Sequence, residues 1–230
     1  MIYREAKKGD VVLRVYVDDF PEDPRSWDNL GTMVCWHKRY RLGDKHNFST
    51  VRDFLESLVY DLMEDERFIL NCLNDGESVD HIIEEMSDEE LWEIINKHAV
   101  VLPLYLYDHG GLCMNTTGFA CPWDSGQVGW IYVTHKRIKE EFIGAELDEI
   151  SEATRKKSEE ILKEEVRVYS DYINGSVYGF RLVKVAKCEK CGGESEEEID
   201  SCWGFYGDDF QINGLCDHIP EEYVCLVDEL

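Results

Sequence analysis

The sequence predicts an α+β fold, a mainly antiparallel sheet flanked by helices, forming a single domain over residues 1–230 with a C-terminal β-hairpin lobe at 176–230. Three observations carry this. Short runs such as 11–17, 100–107 and 128–133 are apolar and β-branched, as strands are. Other segments repeat apolar residues every three or four positions, the mark of helices with one buried face. A chain of 230 residues, 43% hydrophobic with five prolines and no internal repeat or low-complexity linker, has the size and continuity of one domain.

In chain order, Val11–Val17, rich in apolar and β-branched residues before Asp18-Asp19, reads as the opening strand. The stretch DDFPEDPRSWDNLGTM, rich in Pro, Asp, Asn and Gly, reads as a long ordered loop, and Thr32–Trp36 as a second strand. Ser49 or Thr50 caps a helix whose buried stripe is Val51, Phe54, Leu55, Leu58, Val59 and Leu62. A short helix covers Val79–Met86. Ser87 and Glu90 have capping-box spacing for another, with Leu91, Trp92, Ile94 and Ile95 on its buried side. Val100–Tyr107 and Val128–Val133 are the strongest strands and plausible sheet neighbours. An amphipathic surface helix runs from about Leu147 to Ile173, and Asn174-Gly175 stops it through a left-handed residue. Ser176–Ala186 and Ile199–Phe205 form a hairpin tipped by KCEKCGGESEEE, and the acidic tail 207–230 folds back on the body.

The charge balance bounds the partners. Against 24 Lys and Arg stand 49 Asp and Glu, a formal charge of −25. Such a field repels nucleic acid and anionic lipid and attracts cations and basic protein surfaces. It serves solubility, or it offers carboxylates where a basic groove expects phosphates. The longest uncharged apolar run, 99–107, has about half the roughly 20 residues of a membrane span, and no basic-then-apolar leader precedes it. The expectation is a soluble cytoplasmic protein whose nine cysteines stay reduced, with Cys35 and Cys72 as core packing.

Chemistry concentrates in three places. Cys188 and Cys191 have the two-residue spacing of half a zinc site, with Cys202 and Cys216 (or His218) as the candidate second half and a structural zinc as the expected cofactor; a redox dithiol is the other chemistry of this spacing. The loop between the two strongest strands carries Asp108, His109, Cys121 and Asp124, residue types that supply a nucleophile and base or hold a divalent metal. No GxSxG, HExxH, papain-type or EF-hand spacing accompanies them. The basic island around His37, Lys38, Arg39 and Arg41, with Asp28 before it and Gln127 from the loop, offers an anion or substrate contact through Asp28, His37, Arg39 and Gln127. Each place has a structural explanation too: side-chain-capped turns, a solvated face beside Trp36, and thiols at a hairpin tip.

The blocks PRSWDNLGTMVCWHKRYRLGD, LPLYLYDHGGLCMNTTGFACPWDSGQVGWIYV and SVYGF with IDSCWGFYGDD resemble a group of uncharacterised proteins of bacterial phages and mobile elements. The resemblance implies an accessory protein and brings no catalytic residue with it. It leads to the expectation of a binding protein, an anti-defence inhibitor or nucleic-acid mimic acting on a host protein with a basic surface, without direct contact to nucleic acid or membrane. The alternative is a metal-dependent hydrolase of a nucleotide or phosphodiester centred on Asp108, His109, Cys121 and Asp124.

Overall fold

The computed structural model describes residues 1–63, 78–142 and 150–230. It is α+β with antiparallel sheets, as the sequence predicts. The strands are β1 (Ile2–Lys8), β2 (Val11–Val17), β3 (Thr32–Cys35), β4 (Ala99–Asp108), β5 (Leu112–Asn115), β6 (Ser125–Thr134), β7 (Val177–Lys187) and β8 (Glu194–Tyr206). The helices are α1 (Val51–Met63), α2 (Val79–Glu85), α3 (Asp88–His98), α4 (His135–Phe142) and α5 (Glu152–Asn174). One sheet has the order β1-β2-β7-β8 and the other β3-β6-β4-β5. The backbone groups into two compact units: unit one comprises Met1–Trp27, Tyr107–Met114 and Val166–Leu230, and unit two Asp28–Leu106 and Asn115–Glu165.

In unit one, β2 pairs antiparallel with β7, from Val11 opposite Lys184 to Val17 opposite Tyr178. Alternation sends Val11, Leu13 and Val15 to one face, where they meet Phe180, Leu182 and Phe205. The tail closes that core. Its two short 3-10 turns, Leu215–His218 and Glu221–Glu229, lay Leu215, Ile219, Leu226 and Val227 on the same cluster. Fully burying each such side chain is worth roughly 1.5–3 kcal/mol, so the tail is an integral part of this unit.

Strand β1 precedes the segment expected to open the fold. Only Ala6 of its seven residues is buried, so no apolar alternation announces it. It forms because β2 offers a free edge, with Glu5 opposite Arg14 and Lys8 opposite Val11.

Unit two is built on helix packing. Phe54, Leu55, Leu58, Val59 and Met63 of α1 cluster with Ile83 of α2, Leu91 and Ile95 of α3, and Val34. Val51, assigned to the buried stripe, is instead exposed, and Leu62 only half buried. Thr50 and Asp53 cap α1 reciprocally: the Asp53 amide donates to Thr50 Oγ1 (3.1 Å) and the Thr50 amide to Asp53 Oδ2 (3.1 Å). Arg52 ties the bundle, reaching Glu56 (2.5 Å), Asp88 (2.7 Å) and the carbonyls of Ile83 (3.2 Å) and Glu84 (3.1 Å).

Two further elements, besides β1, are absent from the sequence reading. β5 is four residues long after Gly110-Gly111, and α4 has Ile138 as its one buried residue; neither is long or apolar enough to show a period. The long helix begins at Glu152, and its expected start near Leu147 lies outside the described residues, as does Cys72. Its end is as expected: Gly175 sits at φ +77°, its amide bonds the Tyr172 carbonyl (3.1 Å), and the Ser176 amide bonds the Asp171 carbonyl (2.8 Å), the paired bonds of a Schellman cap. Strand β8 starts at Glu194, so the expected tip shrinks to six residues.

The predicted capping box of α3 is present: Glu90 N donates to Ser87 Oγ (3.3 Å) and Ser87 N to Glu90 Oε2 (2.8 Å). Ser87→Ala is expected to lower stability by about 1 kcal/mol, measured as a shift in urea midpoint at unchanged slope; an unshifted midpoint would show that packing alone holds α3.

Candidate functional site

The four residues proposed for anion or substrate contact lie in unit two, and each has a local contact of its own. Asp28 pairs with Arg137 (3.2 Å). His37 stacks on Tyr40 at 5.0 Å and accepts at Nδ1 from the amides of Arg39 (3.3 Å) and Tyr40 (3.2 Å), so it caps a turn. The Arg39 guanidinium lies 5.4 Å from the Tyr40 ring centre. Gln127 bonds the Gly129 carbonyl (3.3 Å) and lines a shallow groove of about 380 Å³ with Trp92, Asn96, Val101, Pro103 and Trp130.

The hydrolase set draws on both units. Asp108 and His109 belong to unit one, Cys121 and Asp124 to unit two. Within its loop Cys121 Sγ lies 3.6 Å from Asp124 Oδ2, and Ser125 Oγ donates to the Cys121 carbonyl (2.5 Å), contacts that close a turn. Among the described residues no three His, Cys, Asp or Glu side chains group so as to hold a metal ion.

Of the four cysteines named for zinc, two sit at the hairpin tip and two pack against the core of unit one. Cys188 and Cys191 occupy the exposed tip of the β7–β8 hairpin, where the amides of Cys191 and then Lys190, followed by the Cys191 thiol, bond the Cys188 sulfur and hold its thiol below the ordinary range. Cys202 faces Phe180, seven register positions from the tip pair Lys187–Glu194, or roughly 20 Å along the strands. Cys216 bonds the Phe210 carbonyl (3.4 Å) and Gln211 Oε1 (3.6 Å), and burial pushes its thiol up. No disulfide joins the cysteines of the described residues.

The feature that does assemble is a charged and aromatic surface on unit one. Along β8 every residue from Glu194 to Ser201 is exposed, including Glu194, Glu196, Glu197, Glu198 and Asp200. This is an edge strand, and charge on an edge discourages pairing with other chains. Its neighbour β7 supplies the opposing cations: Arg181 bonds Glu198 (2.8 Å), and Lys184 lies opposite Glu197. On β2, Arg14 reaches Glu5 (2.6 Å) and Glu196 (2.8 Å), and these two carboxylates raise its already high pKa. Glu198 in turn is held below the usual carboxylate range by Arg181, then by Ser201.

A bulge then changes what the strand presents. Tyr178 faces Phe205 and Gly179 faces Trp203, so Gly204 is the extra residue, at φ +90°. The bulge puts Phe205 into the core and turns Trp203 to the opposite face, where its ring covers Gly179 so closely that a Cβ there would lie 2.1 Å from it. Trp203 is 49% exposed, stands 6.0 Å from Tyr16, and lines a groove of about 330 Å³ with Met1, Val17, Asp18, Asp19 and Phe20. Phe20 is 94% exposed. The acidic loop 18–23 continues from this groove. Burial first, then Glu22, Asp18, Tyr172 and Asp23, push the Tyr206 phenol up to about 12, while its hydroxyl donates to the Glu22 carbonyl (2.5 Å). No sequence motif marked Trp203 or Phe20; the exposure of large aromatics among carboxylates is visible only in the folded chain.

The net charge is not concentrated in one unit: 21 Asp and Glu stand against 10 Lys and Arg in unit one, and 28 against 14 in unit two. The long-range field therefore belongs to both units.

A half-buried imidazole elsewhere gives a pH signature. His135 Nε2 has no hydrogen-bond partner, and burial, then the positive neighbours His98, Arg155 and Lys139, push the imidazole down from 6.5 to about 4. The folded chain keeps this ring neutral while the unfolded chain protonates it near 6.5. Its share of stability is thus complete above that pH and declines as pH falls towards 4. The urea midpoint is expected to drop between pH 7.5 and 5 less in His135→Gln than in the parent; equal drops would assign the acid sensitivity to other groups.

No protein-family model matches this chain, and no curated protein or solved structure matches it either. Its own residues on unit one offer recognition through carboxylates and exposed aromatic rings.

Proposed function

We propose that the protein acts by binding, and that unit one presents its carboxylate-lined edge strand and the Trp203–Phe20 groove to a protein with a basic surface. The observation that carries the reading is the run of exposed Glu and Asp from 194 to 200, followed on the same strand by a half-exposed tryptophan. Tryptophan is among the commonest anchors of interfaces, and clustered like charge speeds encounter with an oppositely charged partner. Acidic loop 18–23 extends the complementary surface beside the aromatic groove. In the setting implied by the resemblance to phage and mobile-element proteins, the partner is a nucleic-acid-binding protein of the bacterial host, and the chain is a cytoplasmic accessory protein that occupies its basic groove as an anti-defence inhibitor. No helix among the described residues is long and apolar enough to cross a membrane.

The test is capture of partners from bacterial lysate at low and high salt, then kinetics with the captured protein. Glu194→Gln/Glu197→Gln/Asp200→Asn is expected to slow association several-fold and flatten its salt dependence. Trp203→Ala is expected to speed dissociation, costing at least about 2 kcal/mol. Nucleic acid should compete with the chain for the partner. Binding indifferent to salt and to both variants would remove this surface from the function.

A further inference from the structure

The β7–β8 hairpin ends in chemistry that binding to a basic partner leaves unused. Between Lys187 and Glu194 the backbone makes one helical turn: the Gly192 amide donates to the Cys188 carbonyl (2.9 Å) and the Cys188 amide to the Gly193 carbonyl (2.8 Å). Residues three apart in such a turn share a face, so the sulfurs of Cys188 and Cys191 stand side by side. The Lys190 and Cys191 amides point at the Cys188 sulfur, as capping donors point at an N-cap oxygen, and the Cys191 thiol bonds it as well. The arrangement is a preformed pair of sulfur ligands.

A pair is half of what a thiophilic cation needs. Zinc in a closed thiolate site takes four ligands in a tetrahedron. Within the described residues no third His, Cys, Asp or Glu joins the tip. Cys202 lies seven register positions away, and Cys216 is held by Phe210 and Gln211. Every residue from Ala186 to Ser201 is exposed, so nothing on the hairpin's own arms prevents approach of another molecule.

We propose that Cys188 and Cys191 form one half of a tetrahedral four-thiolate site for a zinc-class divalent cation, and that the same two residues of a second copy of this chain supply the other half. Metal binding displaces the protons of the four thiols and involves no change of oxidation state, so uptake strengthens with rising pH. Lys187 and Lys190 of each copy partly offset the charge of the thiolates, while Glu189 and Glu194 oppose the approach. Added salt screens that repulsion and favours the metal-linked pair, the reverse of its effect on a basic partner. The two proposals therefore fail separately.

The experiment uses the full chain, reduced and metal-free, titrated with cobalt(II) and then zinc, with absorbance and sedimentation read together. The expected result is an intense tetrahedral cobalt–thiolate spectrum that saturates at one metal per two chains, doubles the mass and is reversed by chelator. Cys188→Ser and Cys191→Ser, at an exposed tip, should keep the parent urea midpoint yet weaken uptake at least a hundredfold, whereas Cys202→Ser and Cys216→Ser should leave it unchanged. Absence of uptake, one metal per chain without doubling, or uptake that survives Cys188→Ser would overturn the proposal. So would rapid closure of a Cys188–Cys191 disulfide by oxidised glutathione in a chain that takes up no metal, which would make the tip a redox pair.

Discussion

The pairing of β2 with β7 is the interaction on which unit one depends. Seven residues of each strand stand in unbroken antiparallel register, and this sets which side chains share a face. One face receives Leu13, Val15, Phe180 and Leu182 and with them the tail, whose short turns bury Leu215 and Leu226. The other brings Arg14 opposite Arg181, two like charges that alone would repel. Carboxylates from the outer strands resolve the conflict: Glu5 from β1, and Glu196 and Glu198 from β8. A one-residue slip would send the arginines into the core and the leucines out of it.

This arrangement sets part of the acidic excess of unit one against cations. Four of the ten Lys and Arg of unit one, Arg14, Arg181, Lys184 and Lys187, lie on the two central strands, between the outer strands β1 and β8. The outermost strand is then free to be acidic along its length, and its charge keeps an unpaired edge from recruiting further strands. That protection and the proposed recognition of a basic partner draw on the same residues. What separates a protective edge from a recognising one is the aromatic groove beside it, which protection does not require.

Unit two shows a different economy. Its helices carry reciprocal caps at Thr50–Asp53 and Ser87–Glu90, and Arg52 collects two carboxylates and two helix-end carbonyls. In the basic island, His37 caps its own turn and Arg39 rests beside Tyr40. Asp44 likewise accepts from the Met33 amide (2.7 Å) and returns a bond from its own amide to the Met33 carbonyl (2.9 Å), serving β3.

Much of the architecture was legible in the residue order, because local forces wrote it there. Strand β2, helix α1, the Ser87 cap and the Gly175 stop depend on period, capping chemistry and backbone freedom, all of which act within a few residues. Elements with a single buried anchor, β1 and α4, carried no period and came into being only because a neighbour offered an edge or a pocket. Candidate sites were the least legible. Four cysteines counted along a line suggested one metal site, yet a hairpin is an extended object, and it holds Cys202 far from Cys188. The bulge at Gly204 reverses the side to which Trp203 points, an outcome that alternation along the chain does not contain. Composition and spacing thus settled the fold class, the acidic character and the place of the CxxC pair at the hairpin tip. Only register, strand order and one extra residue in a ladder decided which of these groups meet, since proximity between distant residues comes from packing and not from position in sequence.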